Sequence, residues 1–187
     1  MNLLKHQVPP EGDWKIWMLL AGRATGKTTA MASCAVDFLK TLGTPGLILT
    51  LNVNTAFRFA ETVSKFIPCT YYKSKSRLFF QTTSGNTLAK SYCDVNIYKD
   101  WVDDFRPAEG YKWIIVDDLS DMSDYYKVFQ MVKSHFDHGC EKIAVSSNYV
   151  YEKDLYHIIR SSMVTTTGTV DHISVLTEIG RLHENLP

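Results

Sequence analysis

The sequence predicts an α/β fold, a three-layer sandwich with a mainly parallel central sheet. Short apolar runs typical of buried strands alternate with segments whose apolar residues recur every three or four positions, as in helices. A glycine-containing loop follows the first apolar run, and two adjacent acids end a later one. Strands that alternate with helices favour parallel pairing through right-handed crossovers, which is why the sheet is expected to be mainly parallel.

Length and composition predict one intracellular domain. The chain has 187 residues, 45% of them hydrophobic, which is enough for one sizeable core. Residues 1–13 read as an N-terminal arm and 165–187 as a tail or the start of a linker. The four cysteines form no C-x-x-C pair, and no run is long enough to span a membrane or resembles a signal peptide. With 20 Lys and Arg against 20 Asp and Glu, a globally basic nucleic-acid binder is not indicated, and any DNA contact must come from a local patch or from oligomerisation.

The first loop has the pattern of a phosphate-binding loop. Gly22 and Gly26 allow the backbone to curl so that its N–H groups converge. Lys27 supplies a charge for the β and γ phosphates of ATP, and Thr28 supplies a hydroxyl for Mg²⁺. An apolar run precedes the loop and a helical pattern follows it, which is the context that this motif requires. The candidate nucleotide-binding residues are Ala21, Gly22, Arg23, Ala24, Thr25, Gly26, Lys27, Thr28 and Thr29.

Periodicity and turn residues place the elements around this loop. The first strand is predicted over 15–20 and the first helix over 30–42. The other predicted elements are a strand over 46–51, a helix from Asn54 or Thr55 to 66, a hairpin of 77–82 with 87–92, a polar connection over 94–104, a strand over 111–116, a helix over 123–138, a strand over 141–146, a helix over 154–161 and a strand around 172–176.

Two later strands end in polar residues that complete the expected nucleotide site. The run over 113–116 leads into Asp117 and Asp118, as in a Walker B strand, and we expect this strand to lie beside the phosphate-loop strand. Asp117 would then hold Mg²⁺, and Asp118 would orient or deprotonate the attacking water. Two acids that merely end a strand in a turn are the alternative. The segment Ser146-Ser147-Asn148 ends the next strand, where it would either sense the γ-phosphate or form a simple turn.

Together these features resemble the ATPase domains of viral DNA-packaging motors, the large terminase subunits and related phage packaging ATPases. The match rests on an arginine within the phosphate loop, a hairpin before Walker B, the paired acids and the Ser/Asn motif, over roughly residues 14–150. The resemblance implies a P-loop ATPase that drives double-stranded viral DNA into a capsid. It also implies a homo-oligomeric ring on the portal of a procapsid in the host cytoplasm, and no membrane.

By the same resemblance, individual residues acquire roles. Arg23 would contact the γ-phosphate, and Ser146, Ser147 and Asn148 would couple hydrolysis to movement. A neighbouring subunit would donate an arginine finger, for which Arg77, Arg106 and Arg160 are candidates. Asp118 stands where most such ATPases carry Glu, which leaves the hydrolysis rate open. No acid-rich nuclease motif follows residue 150, so no DNA cleavage is expected from this chain.

Two other functions remain open from the sequence. A small nucleotide or metabolite kinase would suit the length and the loop, although no Arg-rich lid is evident. A non-catalytic nucleotide-binding or assembly module would suit the shorter Asp118. A helicase or loader is a further alternative, although its additional DNA-binding motifs are not visible.

Several other groups have two interpretations. The stretch 71–77, with two tyrosines and three cations, could grip a phosphate backbone or form a solvated loop. His135 and His138 have helical spacing but lack a visible set of metal partners. The cysteines, such as Cys34 and Cys140, are expected to pack in the core. The pair Trp14 and Trp17 could stack on an adenine, although anchoring in the core is favoured.

Overall fold

A computed structural model describes residues 7–9, 14–22, 24–84, 87–105, 110–148, 172–177 and 181–182. The described elements are, in chain order, β1 (Ile16–Ala21), α1 (Lys27–Thr41), β2 (Gly46–Thr50), α2 (Val53–Ser64), β3 (Cys69–Tyr72), β4 (Arg77–Ser84), β5 (Thr87–Ile97), α3 (Tyr98–Asp103), β6 (Trp113–Val116), α4 (Tyr125–Ser134), β7 (Lys142–Ser147), β8 (His172–Thr177) and β9 (Arg181–Leu182). None of the described helices is long and apolar enough to cross a membrane.

The described strands form one nine-stranded sheet in the order β3-β4-β5-β2-β6-β7-β1-β8-β9. The six strands from β5 to β8 pair in parallel, and the pairings of β3 with β4, β4 with β5 and β8 with β9 are antiparallel. One core cluster contains the buried faces of α1 and α2, and a second contains those of α3 and α4. Because alternate residues of a strand point to opposite faces, these two clusters mark two helical layers around the sheet. The predicted three-layer α/β sandwich is confirmed.

The expected position of the Walker B strand is wrong. We expected β6 to lie beside β1, but β7 pairs with both and separates them. The register aligns Val116 of β6 with Val145 of β7, and Leu19 of β1 with Ser146 of β7. The end of β7 therefore lies between the phosphate loop and the paired acids, which gives its polar residues access to both.

Three other expectations about the bounds and caps of the helices need correction, and a fourth falls on residues that the structure does not describe. Helix α1 begins at Lys27 rather than at residue 30, because the phosphate loop leads directly into its first turn. Helix α2 is capped by Asn52 in a capping box with Thr55, and not by Asn54 or Thr55. The predicted helix over 123–138 is α4 followed by a 3₁₀ turn over His135–His138. The predicted helix over 154–161 lies outside the described residues.

The expected polar connection over 94–104 is wrong. Strand β5 continues to Ile97, and α3 follows it directly. The acidic side chains that suggested a loop have specific partners or face solvent: Asp94 accepts hydrogen bonds from Arg77 and Tyr111, and Asp100 is exposed. The buried Trp101 anchors the helix in the second core cluster. The hairpin expected over 77–92 is present as β4 and β5, and β3 adds an unexpected third antiparallel strand.

Candidate nucleotide-binding site

The phosphate loop connects buried β1 to α1 through two residues with positive φ. Ala24 has a φ of 60° and Gly26 a φ of 85°, a region that glycine enters without steric cost. Thr25 Oγ1 donates a hydrogen bond to the Gly22 carbonyl oxygen at 2.9 Å, which closes the loop. No side chain caps the N-terminus of α1. The first N–H groups of α1 therefore remain available to an anion, with the positive end of the helix dipole behind them.

Lys27 lies at the centre of the site and is only 7% exposed. Its Nζ donates hydrogen bonds to the Gly22 carbonyl oxygen at 3.1 Å and to Asn148 Oδ1 at 3.0 Å. The same ammonium lies 3.4 Å from Asp118 Oδ1. One charge in the loop thus contacts residues that follow β6 and β7, so the three strand ends converge on it.

Asp117 forms the second fixed point of the site. Thr28 Oγ1 donates to its Oδ2 at 3.1 Å, and Ser146 Oγ donates to its Oδ1 at 2.9 Å. Burial, and then the charge of Asp118, raises the pKa of the Asp117 carboxyl to about 7, opposed by these two hydrogen bonds and by Lys27. A buried carboxylate in this position would gain from a cation beside it.

Asp118 has a left-handed backbone conformation, with φ and ψ both 59°. Its N–H donates to Ser146 Oγ at 2.9 Å, so a single hydroxyl holds both acids in place. Its side chain is 32% exposed and faces the same cavity as the phosphate loop. Asp is among the residues that tolerate positive φ best apart from glycine, which explains how the chain can turn sharply here.

The phosphate loop opens onto a cavity of about 400 Å³ at the carboxyl edge of the sheet. Parallel α/β sheets bind ligands at this edge. The lining residues belong to the loop, the start of α1, the turn after β6 and the end of β7: Ala24, Thr25, Gly26, Lys27, Thr28, Asp118, Asp121 and Asn148. Among the described residues, the lining therefore presents one ammonium, two hydroxyls, one side-chain amide, two carboxylates and a helix N-terminus to any ligand that enters it.

The oxygens of Thr28 and Asp117 fit a magnesium ion. A hydroxyl and a carboxylate at the start of α1 and the end of β6 are hard oxygen donors, and Mg²⁺ in proteins is usually held by one or two carboxylates together with substrate phosphates and water. No cluster of three or more His, Cys, Asp or Glu is found in the part of the chain that the structure describes. Thr28 and Asp117 would hold such an ion together with phosphate oxygens and water.

Not every predicted site residue reaches the cavity. Ala21 is the buried last residue of β1, and Thr29 is half-buried in α1. Ser147 is fully buried, and its hydroxyl has no hydrogen-bond partner among the described residues. Ser147 follows Ser146 along the strand, so its side chain points to the opposite face of the sheet. Arg23 lies outside the described residues.

The sequence interpretation missed three residues at the site, Ser120, Asp121 and Gln7. The first two are bonded to Asn148, which the sequence had indicated. Asn148 Nδ2 donates to Asp121 Oδ1 at 2.9 Å, and its backbone N–H donates to Ser120 Oγ at 2.9 Å. Gln7 is buried, and its side-chain amide occupies the space that a Cβ on Gly26 would need. The spacing of Asp121 three residues after Asp118 was a visible signal. Gln7 carried no local signal, because only the tertiary fold brings residue 7 to the loop.

The other candidate groups lie away from the cavity. Trp14 and Trp17 are buried with ring centroids 6.3 Å apart, as core anchors. His135 packs among Trp101, Phe105 and Tyr111, whereas His138 is exposed.

The cysteines and Arg77 also lie outside the cavity. Burial raises the pKa of the Cys34 and Cys93 thiols well above the ordinary value, which suits packing residues. Arg77 pairs with Asp94, and Arg106 and Arg160 are outside the described residues.

Comparison with solved structures identifies the fold as that of P-loop ATPases. The HK97 bacteriophage large terminase is similar with a TM-score of 0.57 and 15% identity, over 90% of this chain and 37% of that chain. The large terminase ATPase domain of Thermus phage P74-26 is similar with a TM-score of 0.54 and 18% identity, over 74% of this chain and 62% of that chain. The N-terminal domain of the bacteriophage phi29 DNA packaging ATPase is similar with a TM-score of 0.54 and 11% identity, over 90% of this chain and 92% of that chain.

The likeness extends to other P-loop proteins. A large terminase from a thermophilic bacteriophage in complex with ADP and a KaiC-like protein from Pyrococcus horikoshii each give a TM-score of 0.50. The chain spans less than two thirds of the two terminase chains, from HK97 and P74-26, that it matches. No protein-family model and no curated protein sequence matches the chain. The chain is thus structurally similar to the ATPase domains of phage packaging motors at low sequence identity.

Proposed function

We propose that this chain is an ATPase that drives double-stranded viral DNA into a capsid. The observation that carries the proposal is the convergence of Lys27, Thr28, Asp117, Asp118 and Asn148 at the carboxyl edge of the sheet. A triphosphate with its metal needs a cation, a hydroxyl and a carboxylate in this arrangement. The likeness to three packaging ATPases favours the motor over other P-loop enzymes, and the ADP-bound terminase supports a nucleotide as the ligand.

The residues of the site divide the chemistry among them. Lys27 binds the β and γ phosphates and stabilises the charge that develops during transfer. Thr28 and Asp117 hold Mg²⁺, which neutralises phosphate charge when it is bound. Asp118 accepts a hydrogen bond from the attacking water and so orients it. Lys27 contacts both Asp118 and Asn148, so a phosphate that binds the ammonium would compete with both interactions.

Asn148 is suited to transmit the state of the γ-phosphate. It joins Lys27 on one side to Ser120 and Asp121 on the other. Loss of the phosphate would restore the Lys27 hydrogen bond and shift the turn after β6 through these interactions. Ser146 would hold the acids during this change, and Arg23 would contact the γ-phosphate by analogy with the packaging ATPases.

The proposal includes partners and location as well. A homo-oligomeric ring would act on double-stranded DNA at the portal of a procapsid, in the cytoplasm of the host.

A second candidate function is a nucleotide-binding assembly module that does not hydrolyse ATP. It is favoured by one observation, the ion pair between Asp118 and Lys27, which occupies the carboxylate expected to orient water.

Steady-state ATP hydrolysis with and without duplex DNA tests the proposal. We expect Mg²⁺-dependent phosphate release that DNA stimulates, and a loss on the order of 100-fold in Lys27→Ala because a charge on the transferring phosphate loses its partner. Lys40→Ala, which removes an exposed lysine of the same helix, is the matched control and should keep full activity. Nucleotide binding without hydrolysis would support the assembly module, and no nucleotide binding would refute both.

A further inference from the structure

The antiparallel end of the sheet differs in charge from the rest of the molecule. Residues 62–93 include the end of α2, β3, β4 and most of β5, and they contain five lysines and arginines but no aspartate or glutamate. The remaining residues hold the other 15 Lys and Arg and all 20 acids. A neutral chain thus concentrates positive charge in one structural unit, here called the basic wing and defined as residues 62–93. Local concentration of this kind is the electrostatic sign of a polyanion-binding surface.

Within the basic wing, the turn between β3 and β4 presents its cations to solvent. Residues 72–76 are all exposed, and the turn carries Lys73 and Lys75 on one 3₁₀ turn. Neither lysine lies within ion-pair distance of an acid among the described residues. Arg77, at the start of β4, is in contrast paired with Asp94, with Nε and Oδ1 3.0 Å apart. The two lysines are therefore the cations of this turn that remain available to a partner.

The backbone holds this turn rigidly. Ser76 has a φ of 47°, and its N–H donates to the Lys73 carbonyl oxygen at 3.0 Å. The Ser76 carbonyl oxygen accepts from the Val95 N–H of β5 at 2.7 Å. The turn is thus tied to the central sheet as well as to its own hairpin. Two cations on a fixed backbone lose less entropy on binding than cations on a mobile loop.

The packing of the aromatic side chains in the basic wing bears on which kind of nucleic acid this surface could bind. Tyr72 packs edge-on against Phe79 at 5.3 Å, Phe79 packs against Tyr92 at 5.7 Å, and the Arg77 guanidinium lies over the Tyr92 ring at 4.3 Å. The three rings therefore pack against one another. Of Tyr72, Phe79 and Tyr92, only Tyr72 is largely exposed, at 49%. A surface that stacks unpaired bases needs open ring faces. This face offers charge to a phosphate backbone instead.

We propose that the β3–β4 turn binds the phosphate backbone of duplex DNA through Lys73 and Lys75, with Ser74 and Ser76 as additional hydroxyl donors. The choice of duplex rests on the proposed function, whereas the choice of a phosphate polyanion rests on the charge and geometry of the basic wing. Hydroxyl groups, lysines and backbone N–H groups are the usual phosphate ligands of DNA-binding proteins. The turn binds DNA without reading its sequence.

Binding of labelled duplex DNA to the full chain as a function of salt concentration tests this assignment. Neutralising both lysines as Lys73→Gln/Lys75→Gln should weaken binding on the order of tenfold, and the slope of log K against log salt should fall by about 1 for each phosphate that no longer has a lysine beside it. The matched control is Lys40→Gln/Lys127→Gln, which removes two exposed lysines from α1 and α4. This control should leave both the affinity and the slope unchanged.

Further measurements separate this assignment from the proposed ATPase. Both double variants should bind MgADP with wild-type affinity, since none of the four lysines lines the nucleotide cavity. Both should unfold at the wild-type temperature, since all four lysines are exposed. Equal losses of DNA affinity in the two variants, or no loss in either, would overturn the assignment. A lysine-dependent preference for single-stranded DNA would overturn the choice of duplex. Loss of nucleotide binding in the wild-type chain would instead refute the proposed function.

Discussion

At the scale of single residues, Ser146 is the junction of the candidate site. Its hydroxyl donates to the Asp117 carboxylate and accepts from the Asp118 N–H, so one side chain positions both acids. Its neighbour Ser147 is equally buried, but its hydroxyl has no hydrogen-bond partner among the described residues. Two adjacent serines of one strand therefore offer a direct comparison between a bonded and an unbonded hydroxyl.

We predict that Ser146→Ala lowers stability by about 1–3 kcal/mol, because the partly buried Asp118 N–H and the buried Asp117 carboxylate each lose a partner. ATP hydrolysis should fall as well, since both acids lose their anchor. Ser147→Ala should change stability little, because no hydrogen bond is lost. Chemical denaturation and steady-state hydrolysis measure the two effects. Similar stability losses in the two variants would contradict the role given to Ser146.

At the scale of elements, the packing of β2 against β6 requires a residue without a side chain at position 46. Gly46 and Trp113 are register partners, and the Trp113 ring passes over Gly46 so that its Nε1 donates to the Gly43 carbonyl oxygen at 2.7 Å. A Cβ on Gly46 would overlap Trp113 Cε2 and Cζ2. Because Trp113 is fully buried, the ring has no free space into which it could move.

We predict that Gly46→Ala destabilises the protein by about 1–3 kcal/mol through overpacking. Gly110→Ala is the matched control, since a Cβ there meets only the His138 carbonyl oxygen at an ordinary 3.6 Å. Thermal and denaturant unfolding of the two variants, followed by tryptophan fluorescence, would measure the difference. A Gly46→Ala variant as stable as the Gly110→Ala control would show that the ring can shift, contrary to the packing described here.

At the scale of the whole molecule, the described residues that line the candidate nucleotide cavity supply little positive charge. Lys27 is the only cationic side chain among the described residues that line it. In the ring that we propose, an arginine from a neighbouring subunit would complete such a site. Arg77 begins β4, next to the edge strand β3 and away from the strands β6, β7 and β1 that border the cavity, and its guanidinium is paired with Asp94. A contribution of Arg77 to a neighbour's cavity would require this pair to open.

We predict that ATP hydrolysis per chain increases with protein concentration, because in the proposed ring a second copy would complete each site. Specific activity measured across a dilution series, alongside sedimentation velocity, would check this expectation. Addition of catalytically inactive Lys27→Ala chains should raise the activity of dilute wild-type protein, since the variant retains its own arginines. Constant specific activity from monomer to oligomer would contradict a shared site.

Local patterns predicted much of the fold. The phosphate loop, the hairpin over 77–92 and the alternation of strands and helices were visible in the sequence, because each depends on residues close together in the chain. Boundaries and caps were less predictable. Asn52 caps α2 in place of Asn54 or Thr55, since several residues of that turn can cap and only the backbone path decides among them.

The sequence by itself determined the chemistry of this protein, that is, which side chains follow a glycine-bent loop and two buried strands. Only the tertiary structure decided how these groups meet. It placed β7 between β1 and β6, brought Gln7 to Gly26 and set the Ser146 hydroxyl against both acids. The physical reason is that strand order and register are set by side-chain packing between distant segments, which no local pattern encodes.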